Sequence, residues 1–266
     1  MNRFTANLIT LNEERNLPRV LASLAGVADE IVVVDSGSTD RTREIAQAQS
    51  ARVFVRPWTN YSDQRNFGAA QASCDWVLII DADEELSPEL RASLAAWKQQ
   101  EAGAIAYSVA RRANYLGRWI RHSGWYPDRN IRLYRRDRAR YAGAVHERML
   151  VDGPVDALDG DLLHYAYRTS AEHAEKVDNY SGLAAKQLFA AGRRQWRLAL
   201  LFDPPWAFLR AYIFQQGFRD GPHGFRIARM AARYVFLKYR KLGLLARGGS
   251  LESSGQPSDQ VSEQKP

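Results

Sequence analysis

Ile31-Val32-Val33-Val34 runs straight into Asp35-Ser36-Gly37-Ser38-Thr39-Asp40, and Trp76-Val77-Leu78-Ile79-Ile80 runs straight into Asp81-Ala82-Asp83. Each is a short apolar run, polar only where it stops, which is the pattern of a strand buried on both faces. Carboxylates at the C-terminal ends of parallel strands open into the crevice where α/β sheets bind ligands. Two of them one residue apart suit a hard divalent cation, which takes oxygen donors and shares its coordination with substrate phosphates.

On either side of these runs strand and helix signals alternate. Asn7 to Leu11 reads as a strand, and Leu17, Val20, Leu21 and Leu24 recur at helical spacing. A helix should start near Thr39 with Ser38 or Thr39 as its cap, Asp40 being a charge near its N-terminus. Val53 to Val55 is a third strand, Gln64 to Ala72 a helix, and Ser87-Pro88-Glu89 the start of another. The order is βαβαβ, which a parallel sheet satisfies most economically. Haloacid-type phosphatases also carry paired aspartates, but after their first strand, whereas Asp81 and Asp83 follow the fourth. Beyond Ala104 the texture changes to strands and loops, including the alternating Ile131-Arg132-Leu133-Tyr134. Ser170 can cap a long helix reaching about Ala191, and Phe225 to Tyr239 forms another. That helix sets Arg226, Arg229, Arg233 and Arg240 opposite Phe225, Ala228, Ala232, Val235 and Tyr239. From Arg247 to Pro266 no apolar period survives, and disorder is expected there.

The chain has 266 residues, 45% of them hydrophobic, enough for a sizeable core. One cysteine, Cys74, allows no intramolecular disulfide and no thiolate cluster for zinc, so a reducing compartment is the simpler reading. The N-terminus lacks the pattern of a signal peptide, which points to the cytoplasm. The most apolar span, Leu198 to Phe214, is interrupted by Asp203, Pro204, Pro205 and Arg210, which argues against a transmembrane helix. Formal charge is +7, yet Arg193 to Lys241 alone carries eleven Lys or Arg against two acids. The basic character therefore belongs to one region with a partner of its own.

Taken in order, Thr10-Leu11-Asn12-Glu13-Glu14, Val34-Asp35-Ser36-Gly37-Ser38-Thr39-Asp40, Gln64-Arg65-Asn66 and Asp81-Ala82-Asp83-Glu84 resemble the family 2 glycosyltransferases of GT-A fold. The resemblance implies an α/β GT-A domain: a mixed, mostly parallel sheet with helices on both faces, here followed by an amphipathic helical extension. It also implies a nucleotide-sugar donor of the UDP type and a divalent cation, Mg²⁺ or Mn²⁺. Thr10, Asn12 and Glu13 would line the nucleoside pocket, Asp35 meet the base, and Arg65 approach base or phosphate. Asp81, with Ala82 beside it, would face the ribose, and Asp83 the metal. Leu11 stands where family members often carry an aromatic.

The second half is similar to a narrower branch, the lipopolysaccharide inner-core β-1,4-glucosyltransferases. The matching pieces are Trp125-Tyr126-Pro127-Asp128-Arg129-Asn130-Ile131-Arg132-Leu133-Tyr134, Tyr141-Ala142-Gly143-Ala144-Val145-His146-Glu147 and His164-Tyr165-Ala166-Tyr167. An inverting transfer needs a base for the acceptor hydroxyl. Glu147 is the candidate, the alternative being a simple ion pair with Arg132 or Arg148. His164 is favoured as a second metal ligand and His146 as an orienting or acceptor contact. Asp128 and Arg129 are either acceptor contacts or a loop salt bridge.

The expected organisation is a catalytic domain over 1–168, with a nucleotide half (1–100) and an acceptor half (101–168). A basic helical extension over 169–245 and a tail over 246–266 complete it. The basic extension carries Trp196, Phe202, Trp206, Phe208, Tyr212 and Phe214 and no nucleic-acid-binding module, which favours an anionic membrane surface over nucleic acid. The expected function is an inverting transfer, most specifically of glucose from UDP-glucose to a lipopolysaccharide core heptose, by an enzyme peripheral on the inner face of the cytoplasmic membrane. The alternatives are another glycolipid or protein glycosyltransferase of the family, or a non-catalytic basic lipid- or nucleic-acid-binding protein on the same scaffold.

Overall fold

A computed structural model of the chain describes residues 1–143 and 147–251. In chain order the elements are β1 (Phe4–Thr10), α1 (Leu17–Leu24), β2 (Glu30–Asp35), α2 (Thr42–Ala48), β3 (Arg52–Val55), α3 (Tyr61–Gln71), β4 (Trp76–Ile79), β5 (Glu84–Leu86) and α4 (Pro88–Gln99). They continue with β6 (Ala106–Tyr115), β7 (Arg118–Trp119), β8 (Asp128–Arg135), β9 (Ala139–Ala142), β10 (Arg148–Val151), β11 (Val155–Tyr167), α5 (Ser170–Ala190), α6 (Arg197–Leu209) and α7 (Pro222–Ala246).

Among the described residues, nine strands form one sheet in the order β3-β2-β1-β4-β8-β6-β11-β5, with β7 added to β6. The first four run parallel, as the alternating signals require. From β4 onward the pairings of β8 with β4 and β6, and of β5 with β11, are antiparallel. The antiparallel share is thus larger than a mostly parallel sheet implies. The physical reason is that β6 and β8 are joined by an irregular excursion and a short strand rather than a crossover helix, and only a crossover returns the chain in the same direction.

Apolar spacing sets the core. Leu17, Val20, Leu21 and Leu24 bury one stripe of α1, and every residue of β4 is buried. Trp76 and Trp97 meet edge to face at 4.9 Å beside Phe4 and Tyr107. Asn60 caps α3 by accepting from the amide of Asp63 at 2.9 Å, and Ser87 caps α4 through Leu90 at 3.1 Å. Helix α2 begins at Thr42 rather than near Thr39. Asp40, not Ser38 or Thr39, accepts from the Thr42 amide at 3.0 Å, because Ser38 and Thr39 are held by other partners.

The chain divides into two units, Met1–Arg112 with Asp128–Tyr165, and Ala113–Pro127 with the residues from Ala166 onward. The excursion 113–127 belongs with the C-terminal helices, where Leu116 donates to the Tyr167 carbonyl at 3.1 Å. In this second unit α5 starts on a capping box, Thr169 and Glu172, rather than on Ser170. Tyr115 packs with Trp125, Tyr167 and His173. Helix α7 buries Ile227, Ala228, Met230 and Leu242, but Phe225, expected on its inner face, is 45% exposed. Helix α6 runs through Pro204 and Pro205 without ending. Among the described residues no helix is long and apolar enough to cross a membrane.

Candidate functional site

The sequence-selected residues of the first unit converge at the C-terminal ends of β1, β2 and β4. Register places Thr10 opposite Asp35 and Asn7 opposite Ile79, so the loops leaving the three strands are neighbours. Asp35 is fully buried. One of its oxygens accepts from the amides of Gly37 (3.1 Å) and Ser38 (2.8 Å), the other from the hydroxyls of Thr10 (3.0 Å) and Ser38 (2.5 Å). Its visible work is to hold the turn. Asn12, in the left-handed region at φ 56°, locks the two loops together: its amide donates to Ser38 Oγ at 2.8 Å and its Oδ1 accepts from the Thr39 amide at 2.9 Å. Short polar side chains such as Asn tolerate that conformation best. Glu13 is tied in by its amide, which donates to Thr42 Oγ1 at 2.7 Å, and its side chain accepts from Asn16 at 2.7 Å.

Arg65 reaches the same opening from α3. It is buried and forks, one nitrogen on Asp81 at 2.8 Å and the other on Glu147. Asp81 also meets Arg132 at 3.4 Å, and Arg132 donates to Glu84 at 2.7 Å. Glu84 is fully buried and its other oxygen accepts from the Asp81 amide at 3.0 Å. The result is a line of alternating charge, Glu147, Arg65, Asp81, Arg132, Glu84, supplied by four separate stretches of the chain. Burial by itself would raise the Asp81 carboxyl, but Arg65, then Arg132 and Arg111, outweigh it and hold Asp81 well below the usual carboxylate range. Burial pushes Glu84 above that range, with Arg132 opposing and the Asp81 charge adding to the rise. Ala82, buried between the two aspartates, keeps the segment close to the sheet.

Asp83 lies apart from this line. Its Oδ2 is 3.1 Å from His164 Nε2, and its backbone carbonyl accepts from Tyr165 at 3.0 Å. Its buried Oδ1 and His164 Nδ1 have no hydrogen-bond partner among the described residues. A buried carboxylate oxygen without a donor is costly unless a cation completes it. Asp83 and His164 therefore fit a divalent ion as two protein ligands. No group of three or more His, Cys, Asp or Glu gathers among the described residues, so the remaining positions would fall to substrate oxygens or water.

Glu147 pairs with Arg65. Asp128 forms a salt bridge to Arg111 at 2.7 Å. His146 lies outside the described residues. Sequence reasoning did not select Arg132 and Arg111 for the site, although both are buried beside its acids. The one available signal was arginine inside otherwise apolar alternation on β6 and β8. Asn66, quoted only as part of a motif, clamps Tyr141 by two bonds of 2.9 Å and so ties α3 to the segment leading to Glu147.

Comparison with known proteins gives consistent matches. The family model described as "Glycosyl transferase family 2" matches residues 7–151. A lipopolysaccharide core biosynthesis glycosyltransferase, LpsC of Rhizobium meliloti (strain 1021), is 37% identical over 246 residues, covering 90% of this chain and 91% of the relative. An uncharacterized glycosyltransferase of Rickettsia typhi is 32% identical over 264 residues, covering 93% and 90%. Among solved structures, glucosyl-3-phosphoglycerate synthase from Mycobacterium tuberculosis in complex with Mn²⁺ and UDP-glucose is 27% identical with a TM-score of 0.35. That match covers 42% of this chain and 44% of the synthase, less than half its length. Residues 1–349 of S. aureus TarS align at 18% identity and a TM-score of 0.45, covering 90% and 91%.

Proposed function

The chain belongs to glycosyl transferase family 2, and from that premise we propose that it moves a sugar from a UDP-sugar donor to a glycolipid acceptor with inversion at the anomeric carbon. The observation that carries the donor half is the division of labour within Asp81-Ala82-Asp83. Asp81 is neutralised by two guanidinium groups, while Asp83 keeps a buried oxygen unpaired beside His164. Asp83 and His164 would hold a divalent cation, which supplies charge neutralisation for the departing diphosphate. Arg65 and Asp81 orient the nucleoside end, on a floor made by Thr10, Asn12, Glu13 and Asp35. In the transfer the acceptor oxygen bonds to the anomeric carbon and the bond from that carbon to the diphosphate breaks, its electron pair leaving with UDP. The acceptor proton passes to Glu147, which the ion pair with Arg65 holds in position.

A lipopolysaccharide core acceptor is supported by the name of the rhizobial relative. Glucose as the sugar and heptose as its acceptor are the specific form we propose, on the likeness of the second half of the sequence to the inner-core glucosyltransferases. The enzyme would work from the cytoplasm, peripheral on the inner face of the cytoplasmic membrane. Titration of UDP into the protein with and without Mn²⁺, alongside Asp83→Ala, tests the donor site. Metal-dependent binding that weakens about a hundredfold in the variant is expected. No UDP binding under either condition would remove the donor assignment.

A further inference from the structure

Helix α6 is amphipathic the wrong way round for a helix that serves only a core. Leu198, Leu201, Phe202, Pro205, Trp206 and Leu209 follow the spacing of one helical face, and that face points to solvent. Leu198 is 74% exposed and Phe202 63%. The π-helical turn that follows, Arg210–Phe214, extends the face: Ile213 and Phe214 stay outside, with Phe214 5.4 Å from Trp206. Ala211 is buried, and the half-buried Phe208 and Tyr212 pack against Phe225. An exposed apolar face of this extent marks an interaction surface.

Charge says what covers it. The face is bracketed by exposed basic residues, Arg193, Arg194 and Arg197 before or at the start of α6 and Arg210 and Arg219 after it. Between Arg193 and Arg219 the sequence holds one acid, Asp203, which is turned to α7 and accepts a hydrogen bond from Tyr239. Asp220, next along the chain, is buried and accepts from the amides of Arg121 and His122. A second copy of the chain packed on this face would bring arginines against arginines in either orientation. At about 20 Å long α6 is too short to cross a bilayer, but it suits lying in the headgroup layer.

We infer that the outward face of α6 and its π-helical turn inserts into the interface of an anionic lipid bilayer, the flanking arginines meeting lipid phosphates. This identifies the surface behind the peripheral-membrane part of the proposed function, and its tests read lipid contact without donor or acceptor, so either can fail alone. Co-sedimentation with vesicles of phosphatidylglycerol and phosphatidylcholine, against phosphatidylcholine alone, should show binding that depends on the anionic lipid and falls with salt. Phe202→Glu with Trp206→Glu should weaken it about tenfold or more even at low salt, while UDP titration is unchanged. Arg193→Gln with Arg197→Gln should weaken it and flatten its salt dependence. Because charged substitutions on α6 could unsettle the helix, a second measurement uses bromine-labelled lipid. Quenching of tryptophan fluorescence in the unaltered protein should shrink in Trp206→Phe. Equal vesicle binding by the double glutamate variant, quenching indifferent to Trp206, or self-association through this face with no vesicle binding would each overturn the inference.

Discussion

Asp81 and Asp83 are separated by one small residue, yet the sheet gives them opposite surroundings, guanidinium groups on one side and an imidazole with an unfilled position on the other. That difference was not readable locally. Both acids stood out in the sequence, as did Arg65, because they occupy motif positions at strand and helix ends. Arg132 and Glu84 are 48 residues apart in the chain, and no local pattern announces a pairing made only when β8 lies against β4. The same holds for Glu147, whose partner Arg65 lies 82 residues earlier. Glu147→Gln keeps the volume and an acceptor for Arg65 while removing the basic carboxylate. Steady-state kinetics should show kcat lowered about 10²- to 10⁴-fold with the donor KM nearly unchanged. A loss expressed in KM alone would make Glu147 a partner of Arg65 and nothing more.

Helix α3 shows how an element delivers a residue. Gly68 lies against Asn7 of β1 so closely that a Cβ there would stand 2.1 Å from Asn7 Oδ1. Asn7 in turn donates to the Arg65 carbonyl at 2.8 Å, so the close approach sets the depth of Arg65. Gly68→Ala must move the helix or the asparagine. We expect a loss of about 1–3 kcal/mol in urea unfolding, together with weaker UDP binding, because the Arg65 fork is displaced. Elements themselves were legible where apolar spacing or a capping residue spoke, as in α1, β2, β4 and α4. They were not where tertiary contacts overrode local rules. The α2 start moved to Thr42 because Asn12 and Asp35 from neighbouring strand ends had already engaged Ser38 and Thr39. Helix α6 likewise runs on through Pro204 and Pro205, with Pro204 buried and Tyr239 of α7 anchoring its Asp203.

At the scale of the molecule, the alternating order of the first hundred residues was enough to give the parallel half of the sheet, whereas the membership of 113–127 in the C-terminal unit depended on contacts with no sequence signature. That unit has its own response to acid. His173 is buried against Tyr115, its Nδ1 3.0 Å from the phenol oxygen, and burial, with Lys176 adding to it, pushes its pKa down to about 4. The unfolded chain takes up this proton near pH 6.5 and the folded one only near 4, so stability is lost as pH falls through that window. The loss is roughly 3 kcal/mol by linkage. Thermal melts at pH 7 and pH 4.5 should show the drop, and His173→Phe should remove most of it. Glu30, held at about 2 by Thr5, Ser73 and Arg52 against the effect of burial, responds only at lower pH, which separates the two effects. The line of alternating charge from Glu147 to Glu84 has a consequence for how this protein can change over generations. Replacing Arg132 by leucine strands Glu84 in a dry interior, and the simplest repair is not reversion but a second change, Glu84→Gln, which keeps an acceptor for the Asp81 amide and discards the orphaned charge. Residues from four separate stretches of the chain are thereby bound to vary in partnership, and descendants of this chain can cross from one charge pattern to another only in paired steps.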